Sequence, residues 1–209
     1  MDGFKTTIRN LINPMRLIFA TNNQHKVEEI RAVLPPNFDI LTLKEAGIDI
    51  DIPEPHDTLE ANAREKATTI FHLTNTACFS EDTGLEVDAL NGEPGVRSAR
   101  YAGEDKSFQN NIEKLLFGLK AKETRNAQFR TVICLIIEGN IEFFEGVCRG
   151  RIIETQKGSK GFGYDPIFVP DGADRTFAEM SMEEKAQYSH RRKAVDKLVS
   201  FLNHSGQNE

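Results

Sequence analysis

The sequence predicts an α/β protein built on a mixed β-sheet flanked by helices. Two observations carry this. Short apolar runs alternate with helical patterns through the first half of the chain, as parallel strands joined by crossovers require. Further on, two long strand-like runs flank Gly139-Asn140, a sequence suited to a tight hairpin turn.

In chain order, Arg16–Ala20 is a continuous apolar run and reads as a strand buried on both faces. Val27, Ile30 and Leu34 then share one helical face over 24–34, and Pro35-Pro36 stops the helix. Phe38–Thr42 reads as a second strand, and the prolines of IDIDIPEPHD mark a loop. Leu59, Ala63, Ala67 and Ile70 recur at helical spacing within 58–73. A strand over 77–80 runs into Glu81-Asp82-Thr83-Gly84, where the glycine is expected to release the chain into a turn before 85–88. A helix over 107–119 faces Phe108, Ile112, Leu115, Leu116 and Leu119 inward. Strands over 128–138 and 141–149 follow, and GSKGFGYDP must be a loop. Ser181 with Glu184 forms a capping box, and a last helix over 189–203 buries Ala194, Val195, Leu198, Val199 and Leu202.

Residues 1–14 are polar and aperiodic. They read as a flexible extension, or Met15 is the true start; 15–204 form one domain and 205–209 a polar tail. A chain of 209 residues with 39% hydrophobic and 28% charged residues is an ordinary soluble composition. No apolar run approaches the roughly 20 residues that span a bilayer, and no signal-peptide pattern opens the chain. The expectation is a cytoplasmic protein without a membrane partner. Cys78, Cys134 and Cys148 are odd in number, lack CxxC spacing and sit in apolar runs, so buried thiols are expected. A net charge of −6 argues against a nucleic-acid polymer as partner.

Four segments carry chemistry that is wrong for stability alone. In ATNNQHK (20–26), His25 and Lys26 occupy a first helical turn, where the macrodipole favours acids. A strand–loop–helix junction with free N–H groups and a lysine suits an anion, although an N-capped helix that happens to carry a lysine reads equally well. Ser189-His190-Arg191-Arg192-Lys193 places basic groups at another helix start. They imply a bound anionic or carbonyl group there, or pairing with Glu183 and Glu184. Glu81-Asp82 after a buried strand suits Mg²⁺, which takes one or two carboxylates and leaves other positions to water and phosphate. A solvated acidic loop is the plainer alternative, and Asp49, Asp51, Glu54 and Asp57 form a second acidic cluster. In Gly161-Phe162-Gly163-Tyr164-Asp165-Pro166 two rings on a glycine-kinked loop either stack on a base or plug the core. Together the four describe a nucleotide–Mg²⁺ site.

FATNNQHK (19–26), TLEANAREKA (58–67), SEDTGLEVDALNGEPGVRSARYAG (80–103), GFGYDPIFVP (161–170) and FAEMSMEEKAQYSHR (177–191) occur in one order along nearly the whole chain from Met15. In them the chain resembles the non-canonical purine nucleoside-triphosphate pyrophosphatases, the inosine triphosphate pyrophosphatase family. The resemblance implies an elongated mixed sheet, two lobes with a deep cleft, a homodimer, and Mg²⁺-dependent hydrolysis of a purine nucleoside triphosphate (ITP, dITP or XTP) to monophosphate and pyrophosphate. It implies that Thr21, Asn22, Asn23, Gln24, His25 and Lys26 bind phosphate. Asp82 is then proton acceptor and metal ligand, with Glu54 its partner on the metal, and Thr83 contacts substrate. Asn62 and Lys66 face the phosphates, while Phe162, Gly163, Tyr164, Asp165, Lys185, His190 and Arg191 hold the base and its sugar-phosphate. Ala61 stands where many relatives carry Glu. A Maf-type pyrophosphatase fits the GFGYDP and SHR segments poorly. A non-catalytic nucleotide sensor would not need Asp82, and a single-stranded nucleic-acid binder would need a basic groove.

Overall fold

The computed structural model describes residues 14–205. The proposed extension 1–14 and tail 205–209 therefore lie almost wholly outside the described residues. Strand β1 (Met15–Phe19) leads through a short loop to helix α1 (Gln24–Arg31) and strand β2 (Phe38–Thr42). Helix α2 (Leu59–Thr74) precedes the long strand β3 (Cys78–Val87), which β4 (Pro94–Gly95) flanks. Helix α3 (Phe108–Gly118) precedes the hairpin of β5 (Asn126–Ile137) and β6 (Asn140–Ile152). Strand β7 (Phe168–Pro170) and helices α4 (Met182–Tyr188) and α5 (His190–Ser205) close the described chain. The sheet order is β2-β1-β3-β5-β6-β7, with β4 on β3; β1 runs parallel to β2 and β3, and the other pairs are antiparallel. This is the mixed α/β sheet that the sequence predicts.

Period-two alternation sorts side chains to the two faces. Leu17 and Phe19 pack with Val27 and Ile30 of α1 and with Val195, Leu198 and Leu202 of α5. Ile18 and Ala20 point the other way, onto Ala63, Ala67 and Ile70 of α2, beside Cys78 and Cys134. Near the far end of the sheet, Leu85, Val87 and Phe129 pack with Ile112 and Leu115 of α3 and with Phe168 and Phe177. Strand β5 enters all three clusters and joins the two ends.

Three expectations are corrected. Residues 81–84 are not a turn: β3 continues through them, paired with β5 from Cys78 to Val87. Gly84 serves a close backbone approach, since a Cβ there would lie 2.6 Å from the Gly95 carbonyl oxygen. The hairpin turn is Glu138-Gly139 rather than Gly139-Asn140. Both residues have positive φ (52° and 79°), as a twist-matched type I′ turn demands, and Asn140 already pairs with Ile137. Helix α1 also stops earlier than expected, at Arg31. The capping box of Ser181 and Glu184 is present, and so is a second, of Thr176 and Glu179. All three cysteines are buried free thiols.

Candidate active site

The site follows from unequal strand lengths. Strand β1 pairs with β3 through Ile18–Cys78 and Phe19–Phe79, then ends, while β3 runs on. Glu81 and Asp82 therefore emerge beyond the carboxyl end of β1, beside the start of α1. Glu81 is 1% and Asp82 5% exposed, so neither belongs to a solvated loop. A cleft of about 250 Å³ opens here. Its walls include Thr21, Asn22, Asn23, Lys26, Glu54, Lys66, Asp82 and Thr83, then Phe162, Gly163, Tyr164, Asp165, Lys185, His190 and Arg191.

At one end, the Asn23 side chain caps α1 by accepting from the Lys26 amide (3.2 Å). The Lys26 ammonium lies 3.1 Å from Glu81 Oε1. Asn22 donates to the Ile50 carbonyl (2.9 Å), tying the loop to the acidic segment. Helix α2 brings Lys66 between two carboxylates, 2.5 Å from Glu54 Oε1 and 3.1 Å from Asp82 Oδ1. Arg100 holds the Glu54 carbonyl at 2.8 Å. Burial opposes the charge on Glu54, but Lys66, with Lys26 and Arg100, outweighs it and lowers its carboxyl to about 2. For Asp82 burial wins. Its carboxyl is pushed above the usual aspartate range despite Lys66 and Lys26, and Glu54 pushes it the same way. An aspartate made more basic by its surroundings, held beside a lysine in a cleft, is suited to accept a proton.

At the other end, Lys185 sits between Asp165 Oδ2 (2.6 Å) and Glu29 Oε1 (2.7 Å). Arg191 makes a bidentate pair with Glu81, both contacts 2.8 Å, and also pairs with Glu29. Asp165 accepts the Phe162 amide (3.0 Å), and Gly161 at φ +73° leaves the space that this carboxylate fills. Burial raises the Asp165 carboxyl against the opposing pull of Lys185. His190 stacks on Phe129 with ring centroids 4.8 Å apart and planes 13° apart. Burial, with Arg191 adding to it, lowers its imidazole well below the usual histidine range, so the ring is neutral. Its Nδ1 is buried with no hydrogen-bond partner among the described residues, an arrangement that costs stability unless something binds there.

Three residues expected at the phosphates do not line the cleft. Gln24 bonds Glu28 on the exposed side of α1. The exposed His25 turns to the Phe162 ring. Asn62 is fully buried and spends its amide on the backbone N–H and carbonyl of His56, bracing the acidic segment; its approach to Asp82 is 3.5 Å. Tyr164 lines the cleft but is mainly a core ring, donating its hydroxyl to the Ser98 carbonyl (3.0 Å). The basic start of α5 is answered by Glu29 and Glu81, while Glu184 pairs with Arg175 instead. Sequence reasoning missed Glu29, because a glutamate inside an ordinary helix looks like a solvated charge. It also missed Phe108 and Phe129 as walls of the cleft.

The match to the Ham1 family model spans residues 17–201. The chain belongs to the Ham1 family. Among Ham1 relatives, the dITP/XTP pyrophosphatase of Flavobacterium psychrophilum is 50% identical over 188 residues, 90% of this chain and 99% of the relative. That of Staphylococcus aureus strain MRSA252 is 42% identical over 187 residues, 89% of this chain and 95% of the relative. The solved structure of the Staphylococcus aureus Ham1 protein aligns with a TM-score of 0.83 at 41% identity, covering 91% of this chain and 99% of that one. The Ham1 match thus covers the sheet, both ends of the cleft and every motif that suggested it. No helix among the described residues is long and apolar enough to cross a membrane.

Proposed function

We propose that this protein hydrolyses non-canonical purine nucleoside triphosphates (ITP, dITP and XTP) to the monophosphate and pyrophosphate, removing deaminated purines from the nucleotide pool. The observation that carries this is the division of one cleft into two ends. Lys26, Lys66 and a basic Asp82 stand at one end; Phe162 and an unpartnered, buried His190 stand at the other. The family membership and the names of the relatives support the same reading.

Lys26 and Lys66 draw the triphosphate in and hold its charge. Asp82 takes a proton from the attacking water as its oxygen bonds to the α-phosphorus. The bond to the bridging oxygen breaks, and pyrophosphate departs. The donor set fits a divalent cation: Asp82 and Glu54 already converge on one positive charge, the Lys66 ammonium, and Mg²⁺ needs only one or two carboxylates. Mg²⁺ held by these two residues would neutralise and orient the phosphates. At the far end, Phe162 stacks on the base. Neutral His190 has one ring N–H to offer, which suits the carbonyl at position six of hypoxanthine or xanthine and not the amino group of adenine. Arg191 is largely committed to Glu81 and Glu29 and fixes this wall rather than reading the base alone. A cytoplasmic location fits the buried thiols; the homodimer rests on the family resemblance.

The test is pyrophosphate release across ITP, dITP, XTP, ATP and GTP, with Mg²⁺ and with a chelator. Release from the first three, strongly favoured over ATP and GTP and abolished by the chelator, is expected. Equal rates on ATP, or no release from any, would overturn the reading.

A further inference from the structure

Phe162 is gripped from outside the cleft. Its ring stacks on His25 with centroids 5.0 Å apart and planes 11° apart. Phe108 leans on both rings, 6.2 Å from Phe162 and 6.5 Å from His25. Phe162 and Phe108 line the cleft, whereas His25 does not. The imidazole therefore packs on Phe162 from outside the cavity, while the Lys185 ammonium and the Arg191 guanidinium, both walls of the cleft, stand 5.3 and 5.8 Å from the ring centroid. The contact also crosses between the two ends of the molecule. His25 belongs to α1, which packs with β1 and α5. The neighbours of Phe162 in its loop belong to the cluster built around α3.

The backbone around Phe162 gives the ring little guidance. Glycines flank it at φ +73° and +61°, and none of the described residues lies within 4 Å of the place where a Cβ on Gly163 would stand. Asp165 fixes the Phe162 amide but not the ring. The ring's direction depends on what packs against it, and among the described residues the parallel stack on His25 is its closest aromatic contact.

We propose that His25 is a positioning residue: it braces Phe162 from outside the cleft so that the ring is already set to receive a purine. This rests on the proposed function, in which Phe162 faces the base. It goes further in joining the two ends of the site, because the turn of α1 that offers Lys26 to the phosphates also holds the base wall through the preceding residue. A brace of this kind acts on binding by cutting the ordering cost paid when the base arrives.

His25→Ala and His25→Phe are compared with the wild type in calorimetric titrations with ITP under a chelator, with inorganic tripolyphosphate as the base-free probe. Steady-state kinetics on ITP with Mg²⁺ and thermal melts accompany them. His25→Ala should weaken ITP binding about two- to tenfold, the range of one aromatic pair. KM should rise similarly, with kcat, tripolyphosphate affinity and melting temperature unchanged. His25→Phe, which keeps a flat ring, should restore ITP affinity. Unaltered ITP affinity in His25→Ala, no rescue by Phe, or an equal loss for tripolyphosphate would overturn the proposal. So would tighter ITP binding, which would make His25 an obstruction. A wild-type protein that binds ITP but releases no pyrophosphate would sink the activity and leave the binding comparison to decide the brace. One that binds no purine nucleotide would sink both.

Discussion

Glu81 and Asp82 are neighbours on one strand, yet their carboxyls are driven in opposite directions. Burial opposes ionisation of both. Alternation along β3 turns Glu81 toward Arg191 and Lys26, which overcome burial and hold it far below the usual glutamate range. Asp82 turns toward α2, where Lys66 is shared with Glu54, and burial prevails.

Asp82→Asn should therefore fold and still bind ITP, since it removes no apolar contact. Its turnover should fall by at least about 100-fold, the lower range for a positioned acid–base group. Single-turnover rates beside ITP affinity at saturating Mg²⁺ test this; near-wild-type turnover would remove Asp82 as the base.

Glu81→Gln should fail differently. It leaves Arg191, 2% exposed, without half of its counter-charge, and breaking such a buried pair costs about 3–5 kcal/mol. Chemical denaturation should show a lowered midpoint. An equally stable Glu81→Gln variant with dead chemistry would move the base from Asp82 to Glu81.

Acid should weaken the fold through Glu29. Burial raises its carboxyl, but Arg191 and Lys185 outweigh this and bring it from 4.5 to about 2. A depressed folded-state value contributes stability that is complete above pH 4.5 and lost as pH falls toward 2. Asp82 has the opposite sign, because acidification relieves its buried charge. Melting temperature against pH, for wild type and Glu29→Gln, should show a gap at neutral pH that closes across that acid window. A gap independent of pH would refute the assignment.

His190→Phe keeps the stack on Phe129 and deletes the unpartnered nitrogen. The preference for ITP over ATP, measured as a ratio of kcat/KM, should drop by about 10- to 100-fold, from the 1–3 kcal/mol of a lost buried polar contact. The melting temperature should hold or rise. An unchanged ratio would mean that the base is read elsewhere.

A chain beginning at Met15 should fold cooperatively and keep its activity. The Met15 nitrogen, which donates to the Asn37 carbonyl at 2.9 Å, remains a donor as a terminal ammonium. Loss of a cooperative transition would show that the preceding residues hold β1 in place.

The sheet class and the helices were legible in the sequence because their burial follows simple periods, as in Leu59, Ala63, Ala67 and Ile70. The turn placed at Glu81–Gly84 was not. Polar residues and a glycine read as loop, whereas here the polar groups face buried partners and the glycine admits Gly95. Lys26, Asp82 and Phe162 declared themselves by being locally ill-placed. Glu29 did not, because its importance lies in Lys185 and Arg191, more than 150 positions away. Nor was the use of the Asn62 amide legible, because its partner is the backbone of a segment without periodicity.

The buried thiols have a practical consequence. Burial pushes Cys78, Cys134 and Cys148 each up to about 12, so the native protein exposes almost no thiolate to an alkylating reagent at neutral pH. One thiol lies in each of the three longest strands. Labelling then proceeds only through transient opening, and the order in which the three sites react records which strand leaves the sheet first.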